Sequence, residues 1–228
     1  MEHDLALLRG IDTHMLAAPD SQIRNLLKSS ITKQSMIYRI FDDMEQCTAE
    51  EVARLLPLVS DQRREQALRF SHLFGQYCCL KSYELLCELL REWGSDIQLP
   101  VFDYNEYGAP SIQGGPYFSI SHCKVGIAVA VDSQPIGIDI ESVRPFKEAL
   151  MHKTMNASEQ AAILSSDDPD WAFTRLWTKK EAVLKMQATG IISDLHEVLA
   201  AAPNTRFTSF DNANRHYVLT IAQLTVNS

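Results

Sequence analysis

One stretch constrains the fold more than any other: Phe118 to Glu141, FSISHCKVGIAVAVDSQPIGIDIE. It reads as two strands joined by a short turn. The turn lies at Asp132-Ser133-Gln134-Pro135, where Asp and Ser favour turns and Pro cannot continue a ladder. Strand side chains alternate with period two, so Ile136, Ile138 and Ile140 point one way and Gly137, Asp139 and Glu141 the other. Two carboxylates therefore share one face of an otherwise apolar hairpin. They repel each other unless a cation sits between them or water solvates both. A solvated strand face is the plainer reading of a D-x-E taken alone.

A second stretch, Trp171 to Lys185, shifts the balance. Its apolar stripe runs through Phe173, Leu176, Trp177 and Leu184 at helical spacing. Lys180 and Glu181 fall in the gap of that stripe. A core helix rarely spends such positions on charge, because an unpaired buried ion costs on the order of several kcal/mol. Glu181 and Lys185 are four apart and share a face. A surface ion pair would explain those two residues but not charge inside the stripe. A cleft holding a metal or an anion explains both.

The remaining chain frames these two stretches. Residues 1–35 suggest two short helices, with Leu5, Leu7, Leu8 and Ile11 on one, Ile23, Leu26 and Leu27 on the other, and Asp20 as a cap. They read as an appendage, and the folded body is expected to begin at the strand-like Met36–Phe41. Thr48 with Glu51, and Asn156 with Glu159, are capping-box signatures. Pro57 ends the first of those helices. A helix over Ser60–Phe70 carries Arg63, Arg64 and Arg69, and another runs from Phe74 to Trp93 with Gly94 as its stop. Asn105–Pro110 is a loop, and His216–Ala222 alternates as a strand.

Composition excludes several classes. The net charge of −8 argues against a general polyanion binder, so no nucleic-acid partner is expected. Five cysteines with no C-x-x-C argue against a disulfide framework or a zinc knuckle. No apolar run approaches ~20 residues, so no membrane span is expected. Met1-Glu2-His3-Asp4 lacks the basic flank of a secretory signal, and the expectation is a cytoplasmic protein.

Asp139, Glu141 and Glu181 around one point would make a hard oxygen site that suits Mg²⁺ better than zinc. Mg²⁺ keeps waters and is commonly completed by substrate phosphates, so a di- or triphosphate substrate is expected. Lys180, Lys185 and His122 would neutralise its oxygens.

With these residues in view, the chain resembles the surfactin-synthetase-type 4′-phosphopantetheinyl transferases. The family pattern G-[IV]-D-x-E is met by Gly137-Ile138-Asp139-Ile140-Glu141. About forty residues on, W-[ST]-x-K-E-[AS]-x-x-K is met by Trp177 to Lys185. Phe118–His122 is similar to the family's F-N-I-S-H strand, and Gly108-Ala109-Pro110 to its G-K-P loop. The resemblance covers Met36 to the C-terminus.

It implies an α+β fold of two similar halves, 36–134 and 135–228, a pseudo-dimer within one chain with the active site at their interface. A monomer is therefore expected. The implied reaction moves the phosphopantetheine arm of coenzyme A onto a serine of an apo acyl or peptidyl carrier protein. It depends on Mg²⁺ and releases adenosine 3′,5′-bisphosphate. By motif position, Asp139, Glu141 and Glu181 would hold Mg²⁺, and Glu181 would also be the base for the serine. Lys185 would stabilise charge on the phosphate bridge. Ser121, His122 and Arg63 would meet the 3′-phosphate, Lys180 would touch coenzyme A phosphates, and the Gly108 and Pro110 loop would lie against the nucleotide.

Two residues depart from the pattern. Ala109 replaces the loop lysine, and Gln66 stands where a second helix lysine is common. The family's arginines after Phe70 have no clear counterpart, with Lys81 the nearest. Two other readings keep the fold: a non-catalytic carrier-binding module, and a Mg²⁺-dependent pyrophosphatase that uses water in place of serine.

Overall fold

The structure is a computed structural model that describes residues 36–190 and 194–225. The readings made for residues 1–35 lie outside the described residues. The described residues belong to one compact unit.

The central stretch forms three strands, not two. β1 (Ile37–Phe41) is followed much later in the chain by β4 (Tyr117–Cys123), β5 (Gly126–Asp132) and β6 (Ile136–Ser142). The turn missed in the sequence is Lys124-Val125. It joins β4 to β5 in an antiparallel hairpin with Phe118 opposite Val131 and Ile120 opposite Val129. β1 completes that sheet in the order β1-β5-β4. The expected turn at 132–135 is real, but it does not close a hairpin. β6 leaves it to pair with β8 (Tyr217–Leu224), with β7 (Thr205–Asn212) beyond, in the order β6-β8-β7. Between β1 and β4 lies a two-stranded ribbon of β2 (Asp103–Tyr104) and β3 (Pro110–Ser111).

Alternation decides what each sheet face packs against. Ile127, Val129 and Val131 of β5 join a core with Leu80, Leu86, Leu89 and Leu90 from α3 (Leu73–Glu92). Ala128 and Ala130 face the other way, onto Ile136, Ile138 and Ile140 of β6 and Leu219 and Ile221 of β8. The two sheets thus lie face to face. The outer side of the second sheet is covered by α6 (Pro169–Gln187), whose Ala182, Val183 and Met186 pack with Ala222 of β8. Full burial of such side chains stabilises by ~1.5–3 kcal/mol each.

The helix starts follow the sequence signals. α1 (Ala49–Leu55) is capped by Thr48, whose Oγ1 accepts from the Glu51 N–H at 3.2 Å. The Glu51 carboxylate turns to Arg54 and does not return to the cap, so only half of that box forms. Pro57 then lies in a 3-10 turn at Leu56–Leu58. α2 (Asp61–Leu68) starts at Ser60, and α3 is capped by the His72 ring and stopped by Gly94 at φ +77°. α4 (Glu148–Thr154) leads to α5 (Ala157–Leu164), where the Asn156–Glu159 box is complete. No helix among the described residues is long and apolar enough to cross a membrane.

Candidate active site

Gly137, Asp139 and Glu141 share the face of β6 that meets α6, as the alternation requires. The helix approaches here because residue 137 has no side chain. A Cβ on Gly137 would run into the Ala182 carbonyl oxygen and lie 2.6 Å from the Met186 amide nitrogen, both backbone atoms that cannot step aside. Thr178 tightens the same contact with a 2.9 Å hydroxyl hydrogen bond to Thr220 of β8. One turn further along α6, Glu181 and Lys185 come down beside the strand carboxylates.

Asp139 is 3% exposed. Its Oδ1 accepts from Lys185 Nζ at 2.7 Å and from the Ser121 hydroxyl at 2.7 Å. Its Oδ2 is buried with no hydrogen-bond partner. Burial pushes Glu141 up to about 7, with Asp139 adding to the rise and Lys185 opposing it. Glu181 is raised as well, first by burial and then by Asp139. The negative charge of Asp139 thus adds to the rise at both Glu141 and Glu181. An orphaned buried oxygen and an all-oxygen donor set suit a hard divalent cation. Among the described residues, no three His, Cys, Asp or Glu side chains lie close enough to hold a metal ion as they stand.

Glu181 and Lys185 also line a groove of about 750 Å³. Its other wall is the 105–120 segment, including Gly108, Ala109 and Pro110. Asn105 builds that wall. Its Oδ1 accepts from the Tyr107 and Ala109 amides at 3.0 and 2.9 Å, and its Nδ2 donates to the Ala188 carbonyl at the end of α6, 2.8 Å away. Gly108 takes φ +78°, a left-handed turn that suits glycine. The sequence placed a loop here without seeing Asn105 as its organiser. An Asn ahead of a Gly is the signal that would have found it.

Other expected site residues have different partners. Lys180 is fully buried. Its Nζ donates to Glu159 Oε2 at 2.7 Å and to the Leu195 carbonyl at 2.7 Å. The charge in the gap of the helix stripe is therefore a buried ion pair to α5, which corrects the reading of Lys180 as a cleft residue. Ser121 and His122 are neighbours on a strand and point to opposite faces. Ser121 is buried against Asp139, whereas the exposed His122 ring packs edge-on to Phe74 of α3 with centroids 6.2 Å apart. The surrounding protein, then Lys185 and Arg63, hold the imidazole below its usual range.

Arg63 is 8% exposed. It donates to the Cys79 carbonyl, Gln66 Oε1 and Ser82 Oγ at 2.8–3.0 Å and sits over the Tyr83 and Phe102 rings. Among the described residues no carboxylate pairs with it. Gln66, where a lysine was expected, orients this guanidinium, whereas a lysine there would repel it. Lys81 pairs with Glu84 and lies over the Phe41 ring.

Comparison with known proteins points to one family. The family model "4′-phosphopantetheinyl transferase superfamily" matches residues 135–222, the span from β6 to β8. The chain is 31% identical over 160 residues to the 4′-phosphopantetheinyl transferase Sfp of Bacillus subtilis strain 168, covering 68% of this chain and 71% of the relative. It is 32% identical over 163 residues to the transferase ffp of Bacillus subtilis, with the same coverage. It is 27% identical over 169 residues to the L-aminoadipate-semialdehyde dehydrogenase-phosphopantetheinyl transferase of Saccharomyces cerevisiae, covering 66% of this chain and 60% of the relative. The chain belongs to the 4′-phosphopantetheinyl transferase superfamily, in its Sfp type, and is an enzyme of that class.

Proposed function

We propose that the enzyme transfers the phosphopantetheine arm of coenzyme A to a serine of an apo acyl or peptidyl carrier protein. The observation that carries this reading is the meeting of two elements. Lys185 and Glu181 line the groove, and Lys185 reaches the Asp139 carboxylate of β6. In the reaction, the serine oxygen bonds to the phosphorus that carries the pantetheine arm. The bond from that phosphorus to the bridging oxygen breaks, and adenosine 3′,5′-bisphosphate leaves. Glu181 takes the serine proton, a task suited to a carboxylate held above its usual range. Lys185 neutralises charge at the bridging oxygen.

Asp139, Glu141 and Glu181 would hold Mg²⁺, which when bound neutralises diphosphate oxygens and polarises the phosphorus. The groove beside Gly108 and Pro110 would take the nucleotide side of coenzyme A, with His122 and Arg63 turned to its 3′-phosphate. On this reading the two sheets, one from 36–134 and one from 135–228, are the two halves of a pseudo-dimer with the active site at their seam, and the enzyme works as a cytoplasmic monomer.

The test is mass spectrometry of several apo carrier proteins after incubation with coenzyme A and Mg²⁺. A mass increase by one phosphopantetheine on the carrier serine is expected. No increase on any carrier, under conditions where coenzyme A binds, overturns the reading.

A further inference from the structure

We propose that Ser121 is a positioning residue whose hydroxyl aims the Asp139 carboxylate and has no proton left for a coenzyme A phosphate. The proposal rests on the transferase reading above. β4 and β6 are edges of different sheets, and β6 turns the N–H groups of Ile138 and Ile140 away from β8. Such outward N–H groups need partners when buried. Ser119 Oγ accepts from Ile138 N at 3.0 Å, and Ser121 Oγ accepts from Ile140 N at 3.3 Å. Two hydroxyls thus replace a backbone ladder and grip the peptides on either side of Asp139.

Ser121 does one thing more. It donates its single proton to Asp139 Oδ1 at 2.7 Å. A hydroxyl has one donor and two acceptor lone pairs. With the proton given to Asp139 and one lone pair given to Ile140, only an acceptor site is left. A phosphate oxygen needs a donor, so this hydroxyl has nothing to offer it. Ser121 and Lys185 occupy Oδ1 together, and the buried Oδ2 is the oxygen left free. Partners of this kind, which orient a carboxylate for an ion, are worth about 10–100-fold in metal affinity. Ser119 makes the same backbone contact without touching the carboxylate, which makes it the internal control.

The experiment uses the full chain and the variants S121A and S119A. Free Mn²⁺ is followed by electron paramagnetic resonance in saturating coenzyme A. Adenosine 3′,5′-bisphosphate is titrated calorimetrically in EDTA, and thermal midpoints are recorded. S121A is expected to weaken Mn²⁺ binding about 10-fold or more with unchanged affinity for the bisphosphate. S119A is expected to lose thermal stability but keep its Mn²⁺ affinity. The proposal is overturned if S121A binds Mn²⁺ like the wild type, if S119A loses as much Mn²⁺ affinity as S121A, or if S121A binds the bisphosphate more weakly in EDTA. Should S121A not fold, S121C keeps the volume and weakens the hydrogen bond, and wild-type Mn²⁺ affinity in that variant overturns the proposal equally. A wild-type enzyme that binds no Mn²⁺ sinks the metal reading itself, and this proposal with it.

Discussion

Helices α3 and α6 do the same architectural job with different means. Each covers the outer face of a three-stranded sheet. α3 does so with a broad apolar surface, in which Leu80, Leu86, Leu89 and Leu90 are fully buried against β5. α6 has a mixed surface. Its contact with β6 runs through Ala182 and the missing side chain of Gly137, and the flanking positions carry Thr178, Glu181 and Lys185. One interface can trade volume for volume, because apolar packing is non-directional. The other holds particular atoms at particular distances, so small displacements matter more there than lost area does. The first helix stabilises the fold and the second also builds a site.

The sharpest way to break this comparison is to remove a site group without touching packing. Glu181→Gln keeps shape and hydrogen-bonding capacity but cannot take a proton. Transfer to a carrier protein is expected to fall about 10²–10⁴-fold, with the thermal midpoint nearly unchanged. A variant with near-normal transfer would remove Glu181 from the chemistry. Next in size is Gly137→Ala. Its methyl group meets the backbone of Ala182 and Met186, so α6 must move. A displacement of ~1 Å at the site costs about 10²-fold in rate, and overpacking adds about 1–3 kcal/mol of destabilisation. If activity survives while stability falls, α6 is no more a positioning helix than α3.

The third variant separates Lys180 from Lys185 on α6. Lys180→Met strands the Glu159 carboxylate, which is 8% exposed, and should destabilise by about 3–5 kcal/mol. Glu159→Gln added to it should recover part of the loss. Coenzyme A affinity of the folded enzyme should not change. A tenfold weaker affinity at an unchanged melting temperature would return Lys180 to the phosphates.

The two lysines also show what was legible in the sequence. The G-I-D-I-E strand and the W-T-K-K-E helix could be read directly, because period two and period 3.6 dictate which residues share a face. That this strand meets this helix followed from pairing those motifs, whereas the contact of Lys185 with Asp139 did not. Nor did the partner of Lys180. Glu159 lies 21 positions away, and only the packing of α5 on α6 brings them together. Pattern could say that a charge lay inside an apolar stripe, but not whether a ligand or another helix answers it. The change of sheet after Asp132 was equally hidden. A turn signal marks where a chain bends, while the choice between β5 and β8 as the partner of β6 is made by long-range contacts. Ser119 escaped notice for the same reason, since its partner is a backbone N–H that no side-chain pattern reports.

On the α3 side, Leu86→Ala should cost about 2–5 kcal/mol, measured by denaturant unfolding. kcat/KM of the folded fraction should be that of the wild type. A matching loss of activity would mean that the first sheet transmits strain to the site, and the division of labour between the helices would fail.

The smallest effect lies in the pH dependence of metal-free stability. Glu141 is pushed up to about 7 in the folded enzyme. The sign is opposite to that of a salt-bridged carboxylate, because here the folded state binds the proton more tightly than the unfolded one. Below the ordinary carboxylate range both states are protonated and the group has no effect. As pH rises through that range towards 7 the unfolded chain ionises first, so stability falls, and the penalty is complete above about 7. Glu141→Gln removes this contribution. In EDTA, its melting temperature should decline less than that of the wild type between about pH 5 and pH 8. Parallel curves would mean that Glu141 is solvated after all, and the plainer reading of the D-x-E strand, two carboxylates facing water, would stand for this residue. A flatter curve places the cost of assembling charge on the α6 side, where α3 has no counterpart to it.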